Sequence, residues 1–282
     1  MCAVDLHVHS TKSDGTLTPN ELVDYAIQKG LTAFALTDHD TTDGLDEILD
    51  YAKGKAIEVI PGIEFSTDYN GKDVHIVGLY IDYHNEEFQR ELNEFRDSRL
   101  NRNIKMCNKL REEGGIDISY DKLVDEYGKD VVLTRAHYAT YLLNHGYVNS
   151  RDEAFDKYIG DRCKYYVSRE KVTPLQAVKL ILKAGGIPIL AHPILYHLSD
   201  KSLRELVSLL KDNGLIGIEA IYSTYKPHEE RLIRSIAKEF NLTISGGSDF
   251  HGEAKPGLDL GTGYGKLCIP DEVLINIKKQ LN

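Results

Sequence analysis

Residues 3–9 read A-V-D-L-H-V-H, a short apolar stretch that ends in two closely spaced histidines. Short runs of this kind predict a buried β-strand. Residues two apart along a strand point to the same face, so His7 and His9 can converge on one point. The same arrangement recurs along the chain, where further apolar stretches end in a histidine or an acidic residue.

Six further stretches are strand-like and alternate with helical patterns. Two of the helices begin at a capping box with proline in the first helical position, at residues 18–21 and 173–176. Strands that alternate with helices are typical of a parallel sheet. The seven predicted strands are residues 3–8, 32–37, 56–65, 73–81, 187–191, 216–221 and 242–245.

The segment between the fourth and fifth strands has a different character. From residue 85 to about residue 113 it is rich in charge, and its apolar residues recur at three- and four-residue steps, which predicts a long helix with one buried face. We expect residues 1–82 and 171–282 to form a barrel, and residues 83–170 to form a helical insertion that covers the active site. The face predicted to be buried carries Phe88, Leu92, Phe95, Leu100, Ile104, Cys107 and Leu110.

The composition narrows the class of protein. The 282 residues include 34 basic and 44 acidic side chains, for a net charge of −10. Nonspecific nucleic-acid binders usually carry a basic face, so no stable nucleic-acid complex is expected. No stretch approaches the roughly 18 apolar residues of a membrane span. We expect no membrane contact, and the sequence shows no sign of an obligate protein partner.

The N-terminus and the cysteines indicate the compartment. The first residues lead directly into strand-like sequence without the pattern of a signal peptide. The cysteines are scattered and form no C-x-x-C pair, so free thiols and a cytoplasmic location are predicted. These four residues are Cys2, Cys107, Cys163 and Cys268.

A set of histidines and carboxylates lies at or near the predicted strand ends, where a closed barrel would gather them. Imidazole and carboxylate ligands without thiolate suit manganese, iron or zinc. Nine ligands suffice for two or three divalent ions when a carboxylate bridges, and manganese is the first expectation. The candidates are His7, His9, Asp14, His39, Glu64, His75, His192, Asp249 and His251.

Six ordered motifs make the sequence recognisable: D-L-H-V-H-S, S-D-G-T-L-T-P, A-L-T-D-H-D-T, P-G-I-E-F-S, L-A-H-P and G-S-D-F-H-G. The chain resembles the PHP (polymerase and histidinol phosphatase) family, in particular the branch that includes 3′,5′-nucleoside bisphosphate phosphatases. Residues 134–137 and 154–160 of the insertion also resemble that branch. The resemblance implies an α/β fold, a distorted seven-stranded (β/α)7 PHP barrel with an inserted helical domain, and three metals.

The resemblance also implies how the ligands divide. The first metal would take His7, His9, Glu64 and Asp249. The second would share Glu64 and add His75 and His192. The third would take Asp14, His39 and His251.

The expected activity is hydrolysis of a terminal phosphate from a small nucleotide or a short oligonucleotide by water activated between two metals. Arg135 is expected to grip phosphate through its planar fork, and His137 to bind the same group or protonate the leaving oxygen. Asp38 is a candidate for positioning water or a ligand. The loop after a late strand offers three further substrate contacts, Tyr222, Ser223 and Lys226.

Two alternatives stay open at this point. A histidinol-phosphate phosphatase would use the same metals, and the Arg135 segment with the helical insertion counts against it. A metal-stabilised interaction module without catalysis would have lost ligands or be fused to a partner domain, and the sequence shows neither.

Overall fold

Seven strands form one sheet that nearly closes into a barrel, which confirms the predicted fold class. The computed structural model describes residues 4–161, 163–169 and 172–281. The strands lie in the sheet in the order in which they occur along the chain. They are β1 (Val4–Val8), β2 (Ala33–Leu36), β3 (Glu58–Tyr69), β4 (Lys72–Leu79), β5 (Ile187–Leu190), β6 (Gly217–Tyr222) and β7 (Thr243–Gly247).

Helices connect most of these strands. Both predicted capping boxes are present, at the starts of α1 and α7. The helices are α1 (Pro19–Gln28), α2 (Leu45–Ala52), α3 (Glu86–Gly114), α4 (Tyr120–Tyr127), α5 (Arg135–Asn144), α6 (Arg151–Ala154), α7 (Pro174–Lys183), α8 (Asp200–Lys211), α9 (Pro227–Glu239) and α10 (Asp271–Lys278). A π-helical turn at Phe155–Ile159 continues α6.

The sheet is not wholly parallel, so that part of the prediction is wrong. β4 runs antiparallel to both β3 and β5, whereas the other neighbouring pairs are parallel. The reason is the tight turn at Asn70 and Gly71, which both adopt positive φ angles of 54° and 75°. Asn-Gly favours such two-residue hairpins, and a hairpin reverses the chain without a crossover helix.

The barrel closes between β1 and the residues that follow β7. The amide of Asp249 donates to the carbonyl of His7, and the amide of His9 donates to the carbonyl of Phe250, both over 2.9 Å. The first strand, β1, and the segment that follows the last strand, β7, are therefore neighbours in the barrel. The first and the last of the predicted metal ligands therefore lie on the two edges that meet.

The helices between β4 and β5 have a hydrophobic cluster of their own. It joins α3, α4 and α5 to the π-helical turn through buried side chains that include Met106, Leu123, Tyr138 and Ile159. A second cluster packs α10 against β1, β2, β4 and β5. The largest cluster holds α1, α2, α7, α8 and α9 against the strands. No helix within the described residues combines the length and apolar character needed to cross a membrane.

The buried face of α3 differs from the predicted stripe in its middle. Leu100 and Ile104 are exposed, whereas Arg99 and Arg102 are buried. The spacing explains this, because steps of four and three residues from Phe88 lead to positions 92, 95, 99 and 102. The helix thus turns two arginines toward the barrel, and its apolar residues at 100 and 104 toward solvent.

The cysteines follow the prediction in part. Cys107 and Cys163 are free, and Cys107 is buried. Cys268 is disulfide-bonded, so the prediction of a free thiol is wrong for this residue. Cys2 lies outside the described residues.

Candidate active site

All of the predicted metal ligands come together at one end of the barrel, in four overlapping groups of ligand atoms that lie within 4.8 Å of one another. β1, β3 and β4 carry one each, His7, Glu64 and His75, and the segments after β1, β2, β5 and β7 carry the rest. The four groups are His9–Asp14–His39–His251, His7–His9–Asp249, His7–Glu64–His192 and His39–Glu64–His75.

Glu64 lies at the centre of this cluster. Its Oε1 is 2.8 Å from Nδ1 of His75 and 3.0 Å from Nε2 of His192. Its Oε2 is 3.1 Å from Nε2 of His7, 3.2 Å from Nε2 of His9 and 3.1 Å from Nδ1 of His39. One carboxylate therefore faces two separate sets of imidazoles, as a bridging ligand between two cations must.

Two further carboxylates extend the cluster on either side of His9. Oδ1 of Asp249 lies 3.3 Å from Nε2 of His9, and Oδ1 of Asp14 lies 3.2 Å from Nε2 of His251. His39 approaches Asp14 through its Nε2 over 3.9 Å. The third set expected from the sequence, Asp14, His39 and His251, thus lies in one group that also includes His9.

Several ligand atoms in this cluster are buried without a hydrogen-bond partner among the described residues. They are Nε2 of His7, both ring nitrogens of His9, Nδ1 of His192 and Oδ1 of Asp14. An unsatisfied buried polar atom costs about 1–3 kcal/mol, so proteins rarely leave several together. Bound cations would satisfy these atoms, and the donor set of nitrogen and oxygen fits divalent transition metals.

Burial and the neighbouring carboxylates shift the pKa values of the histidines in this cluster in opposite directions. Burial alone would lower the pKa of His7, but Glu64, Glu219 and Asp249 together raise it well above its ordinary value. Burial and carboxylates act in the same opposed way on His75, whose pKa rises to about 10. Burial prevails at His39, whose pKa falls to about 3. The protein thus holds its imidazoles in a strong negative field, which also attracts cations.

The carboxylates of Glu64 and Asp249, which contribute to this negative field, stay ionised because their pKa values are lowered. Burial would raise the pKa of Glu64, but His7, His75 and His39 bring it well below its ordinary value. Asp249 is likewise buried, and Lys255 lowers its pKa most among the neighbouring charges. Carboxylates that stay ionised are available as metal ligands.

A second layer of side chains orients the ligands, and sequence reasoning missed most of it. Oε1 of Glu219 lies 3.2 Å from Nδ1 of His7, and its Oε2 accepts from the amide of His192 over 2.8 Å. Thr134 donates to Oδ2 of Asp14 over 2.7 Å. A glutamate inside the apolar strand I-E-A-I-Y of β6 was the available signal.

Three non-glycine residues at the site have positive φ angles. They are Asp40 at 50°, His192 at 23° and Asp249 at 57°, and each follows a strand. Such backbone conformations cost roughly 1–3 kcal/mol each and cluster at functional sites. Here they turn the chain so that ligand side chains face the barrel end.

Asp38 and His137 do not reach the open pocket. Asp38 accepts from the amide of Ser10 over 2.8 Å and from the hydroxyls of Ser10 and Ser13 over 2.6 Å, so it organises the loop after β1. Nδ1 of His137 accepts from the amide of Thr134 over 2.9 Å, which caps α5. Burial lowers the pKa of His137 to about 4, so it is neutral near pH 7 and poorly suited to protonate a leaving group.

Arg135 lines the pocket, but its guanidinium already forms ion pairs with two carboxylates. It contacts Asp73 and Asp161 over 2.6 Å each. Asp73 in turn lies 3.3 Å from Nε2 of His75. The geometry therefore connects Arg135 through one carboxylate to His75, a candidate metal ligand.

The three residues expected after β6 have different surroundings. Tyr222 lines the pocket and donates to Oδ2 of Asp249 over 2.5 Å. Ser223 donates to the carbonyl of Ser248 over 2.7 Å, and Lys226 is exposed at the start of α9. Neither Ser223 nor Lys226 belongs to the pocket wall.

The ligand cluster opens into a cavity of about 630 Å³ whose wall adds six basic side chains to the carboxylates of the cluster and those of Asp73 and Asp152. Within an acidic chain, this concentration of positive charge indicates an anion site. The basic side chains of the wall are Arg99, Arg102, Arg135, Arg151, Arg169 and Lys255.

The arginines of this wall differ in their partners. Arg99 and Arg169 both contact Oδ2 of Asp40, over 2.7 and 2.6 Å. Arg102 is 6% exposed and donates to Asn103 over 2.9 Å, and among the described residues no carboxylate lies within ion-pair distance of it. Burial, and then the charges of Arg99, Arg135 and Arg169, lower its pKa to about 9.

The chain is similar to several known proteins. The chain is 39% identical to a 5′-3′ exoribonuclease of Haemophilus influenzae, over 88% of this chain and 89% of that protein. It is 33% identical to a 3′,5′-nucleoside bisphosphate phosphatase of Chromobacterium violaceum, over 93% and 91%. A Bifidobacterium adolescentis protein assigned as a metal-dependent phosphoesterase has a similar structure, with a TM-score of 0.84, 28% identity and coverage of 98% and 95%.

The family follows from the motifs, the barrel and these relatives together. The family model for the PHP domain matches residues 5–162, which contain the first six of the ligands considered above. The resemblance seen in the sequence is confirmed: this chain belongs to the PHP domain family.

Proposed function

We propose that this PHP-family enzyme, a metal-dependent phosphoesterase, removes a terminal phosphate from a small nucleotide such as a nucleoside 3′,5′-bisphosphate, or from the end of a short oligonucleotide. The observation that carries the proposal is a buried cluster of nine candidate metal ligands that opens directly into a cavity lined by five arginines. Such a pair of features suits a substrate with two phosphates, one at the cluster and one at the arginines.

The proposed ligand sets are those that the family resemblance implies. His7, His9, Glu64 and Asp249 would hold one cation, and Glu64 with His75 and His192 a second. A third would be held by Asp14, His39 and His251. Two to three divalent ions per chain, with manganese favoured over iron or zinc, would activate water and offset the charge of the phosphate.

The chain's own residues prepare this chemistry. Glu219 and Asp73 fix the rings of His7 and His75 by contacting the nitrogen that faces away from Glu64. Tyr222 and Lys255 occupy Oδ2 of Asp249 and leave Oδ1 facing His7 and His9. A fixed ring and a fixed carboxylate oxygen give each ligand one direction of approach.

The arginines would hold the phosphate that is not cleaved. Arg102 has no carboxylate partner among the described residues, and its guanidinium lines the cavity. A dianionic phosphate would supply the missing counter-charge through bidentate hydrogen bonds. The helices of residues 83–170, which contribute Arg99, Arg102, Thr134 and Arg135 to the wall, would thus cover the site and read this group.

A substrate panel with purified, manganese-loaded enzyme tests the proposal. We expect phosphate release from a nucleoside 3′,5′-bisphosphate with a higher kcat/KM than from the matching 3′-monophosphate or from histidinol phosphate. Short 5′-phosphorylated oligonucleotides separate the nuclease activity from the phosphatase activity. Preference for histidinol phosphate, or no release from any phosphoester by metal-loaded enzyme, would contradict the proposal.

A further inference from the structure

Tyr264 stands apart from the rest of the cavity wall. It lines the cavity that contains the ligand cluster, and at 52% exposure it is the most exposed large apolar side chain among the described residues. Leu195, from the short helical turn after β5, also lines this cavity and is 41% exposed. An aromatic ring and an aliphatic side chain are therefore open to solvent at the mouth of a charged pocket.

The loop that carries Tyr264 is tightly structured. The amides and carbonyls of Asp259 and Gly263 exchange two hydrogen bonds of 2.8 Å, and the amide of Gly265 donates to Thr262 over 2.8 Å. Gly263 and Gly265 have φ angles of 55° and 83°, which favour glycine on both sides of the tyrosine. The ring is thus presented by a tight turn and not by a long flexible arm.

The loop is also tied to β1, the strand that carries the ligand candidate His7. Oδ2 of Asp5 accepts from the amide of Gly261, and Oδ1 from the amide of Ser248, both over 2.8 Å. Asp5 precedes His7 by two residues in β1. At the outer end of the loop, the carboxylate of Asp259 binds Tyr25 and Lys29 over 2.6 and 2.5 Å. These contacts fix the position of the Tyr264 backbone relative to the ligand cluster.

We propose that the ring of Tyr264 stacks on the nucleobase of the substrate, with Leu195 as a second apolar contact. This inference rests on the proposed function, because it names the part of the nucleotide that lies beyond the phosphates. Stacking on one aromatic face is available to every base and requires no base-specific hydrogen bonds. The site would therefore accept all four bases and discriminate against phosphoesters without an aromatic group.

The test compares two substrates and three variants. One substrate is a nucleoside 3′,5′-bisphosphate, and the other is the 1-deoxyribose 3,5-bisphosphate, which lacks the base. We expect Tyr264→Ala to raise KM about tenfold for the nucleotide, with little change in kcat, since alanine removes the stacking surface. KM for the base-free substrate should stay at the wild-type value. Tyr264→Phe keeps the ring and should behave as wild type.

Tyr51→Ala is the matched control, because Tyr51 is an exposed tyrosine on α2 outside the cavity wall. It should leave both KM values unchanged. An equal loss of kcat/KM on both substrates in Tyr264→Ala would mean that the residue only supports the loop. Unchanged KM values for both substrates would mean that the base does not contact the ring. Either result overturns the inference.

Equilibrium binding separates this inference from the proposed function. If wild-type enzyme released no phosphate from nucleotides, the proposed function would fail. The stacking would still be tested by calorimetry with adenosine 5′-monophosphate and ribose 5-phosphate. Tighter binding of the nucleotide that disappears in Tyr264→Ala supports the inference, whereas equal binding of the two ligands by wild type overturns it.

Discussion

Glu64 contacts more ligand side chains than any other residue of the site, with five imidazoles around its two oxygens. The division of these contacts matters more than their number. His75 and His192 approach one oxygen, and the other three histidines approach the second. Loss of the carboxylate would therefore disturb two cation sites at once.

Glu64→Gln keeps the size of the side chain but removes its charge and one acceptor oxygen. We expect the variant to lose at least one bound ion per chain and more than roughly 100-fold in phosphate release, because both proposed sites share this residue. Elemental analysis of the purified protein and a phosphate-release assay measure the two effects. Glu58→Gln, in the same strand, is the control. Full metal content in Glu64→Gln would contradict the shared-ligand geometry.

We expect Glu219 to raise the affinity of the site for metal without itself being a ligand. Its carboxylate contacts the ring of His7 and the amide of His192. Glu219→Gln should weaken metal affinity by roughly 10–100-fold while the fold is retained. Chelator competition followed by metal analysis measures the affinity, and circular dichroism checks the fold. The idea fails if the variant binds metal as tightly as wild type.

The proximity of the ligand candidates could be predicted from sequence because strand ends meet at one end of a barrel. All the ligand candidates do come together. Side-chain direction could not be predicted in the same way. Asp38 directly precedes the candidate His39, but its carboxylate turns toward the serines of the first loop. His137 turns toward the start of its own helix.

At the scale of elements, α3 shows how buried charged residues can interrupt an apolar pattern. Its buried face continues from Phe95 to Arg99 and Arg102 at regular helical spacing. An interpretation that admits only apolar residues shifts the stripe to Leu100 and Ile104, which are exposed. Arg99 and Arg102 occupy positions that the helical spacing of α3 predicts to be buried. Arginines at such positions were the sequence feature that could have indicated the basic side chains of the cavity wall.

Arg102→Met tests whether this arginine is kept for binding and not for stability. Methionine has a similar length and removes a buried charge that has no carboxylate partner among the described residues. We expect the free energy of unfolding to rise by about 1 kcal/mol, and the preference for bisphosphates over monophosphates to fall about tenfold. Urea unfolding and kcat/KM on both substrates measure the two effects.

Arg90→Ala is the matched control for this variant, since Arg90 lies on the exposed face of α3. It should change neither quantity appreciably. A large loss of stability in Arg102→Met would instead make Arg102 a structural residue.

The β3–β4 hairpin explains why the parallel sheet was predicted wrongly. The positions of both strands were foreseen, but their relative direction depends on the two residues between them. Asn70 and Gly71 form that turn, and the Asn-Gly pair was visible in the sequence. The hairpin matters for the site because it places Glu64 and His75 on neighbouring antiparallel strands.

For the whole molecule, the acidic net charge and the basic cavity are parts of one arrangement. The chain carries a charge of −10, and three carboxylates of the cluster are buried. Divalent cations would neutralise these carboxylates, and the arginines would keep the approach to them positive. The overall charge thus predicted little about the local field where the substrate binds.

Metal removal should destabilise the whole fold. The proposed ligands come from β1, β3, β4 and the loops after β1, β2, β5 and β7, so cations would cross-link most of the barrel. We expect a chelator to lower Tm by roughly 10 °C, given free metal near a thousandfold above Kd and a chain of this size. Differential scanning fluorimetry measures Tm, and added manganese should restore it. An unchanged Tm would contradict ligation across strands.

The hydrogen bonds between β1 and the residues after β7 have a dynamic consequence. His7 and His9 lie on one side of this junction and Asp249 on the other, so a cation between them would add a second link between two edges that backbone hydrogen bonds already join. Occupancy of that position should therefore govern how often the ring of strands opens. Deuterium uptake at the amides of His9 and Asp249 should slow when metal is bound, while uptake in α8, on the outside of the molecule, stays constant.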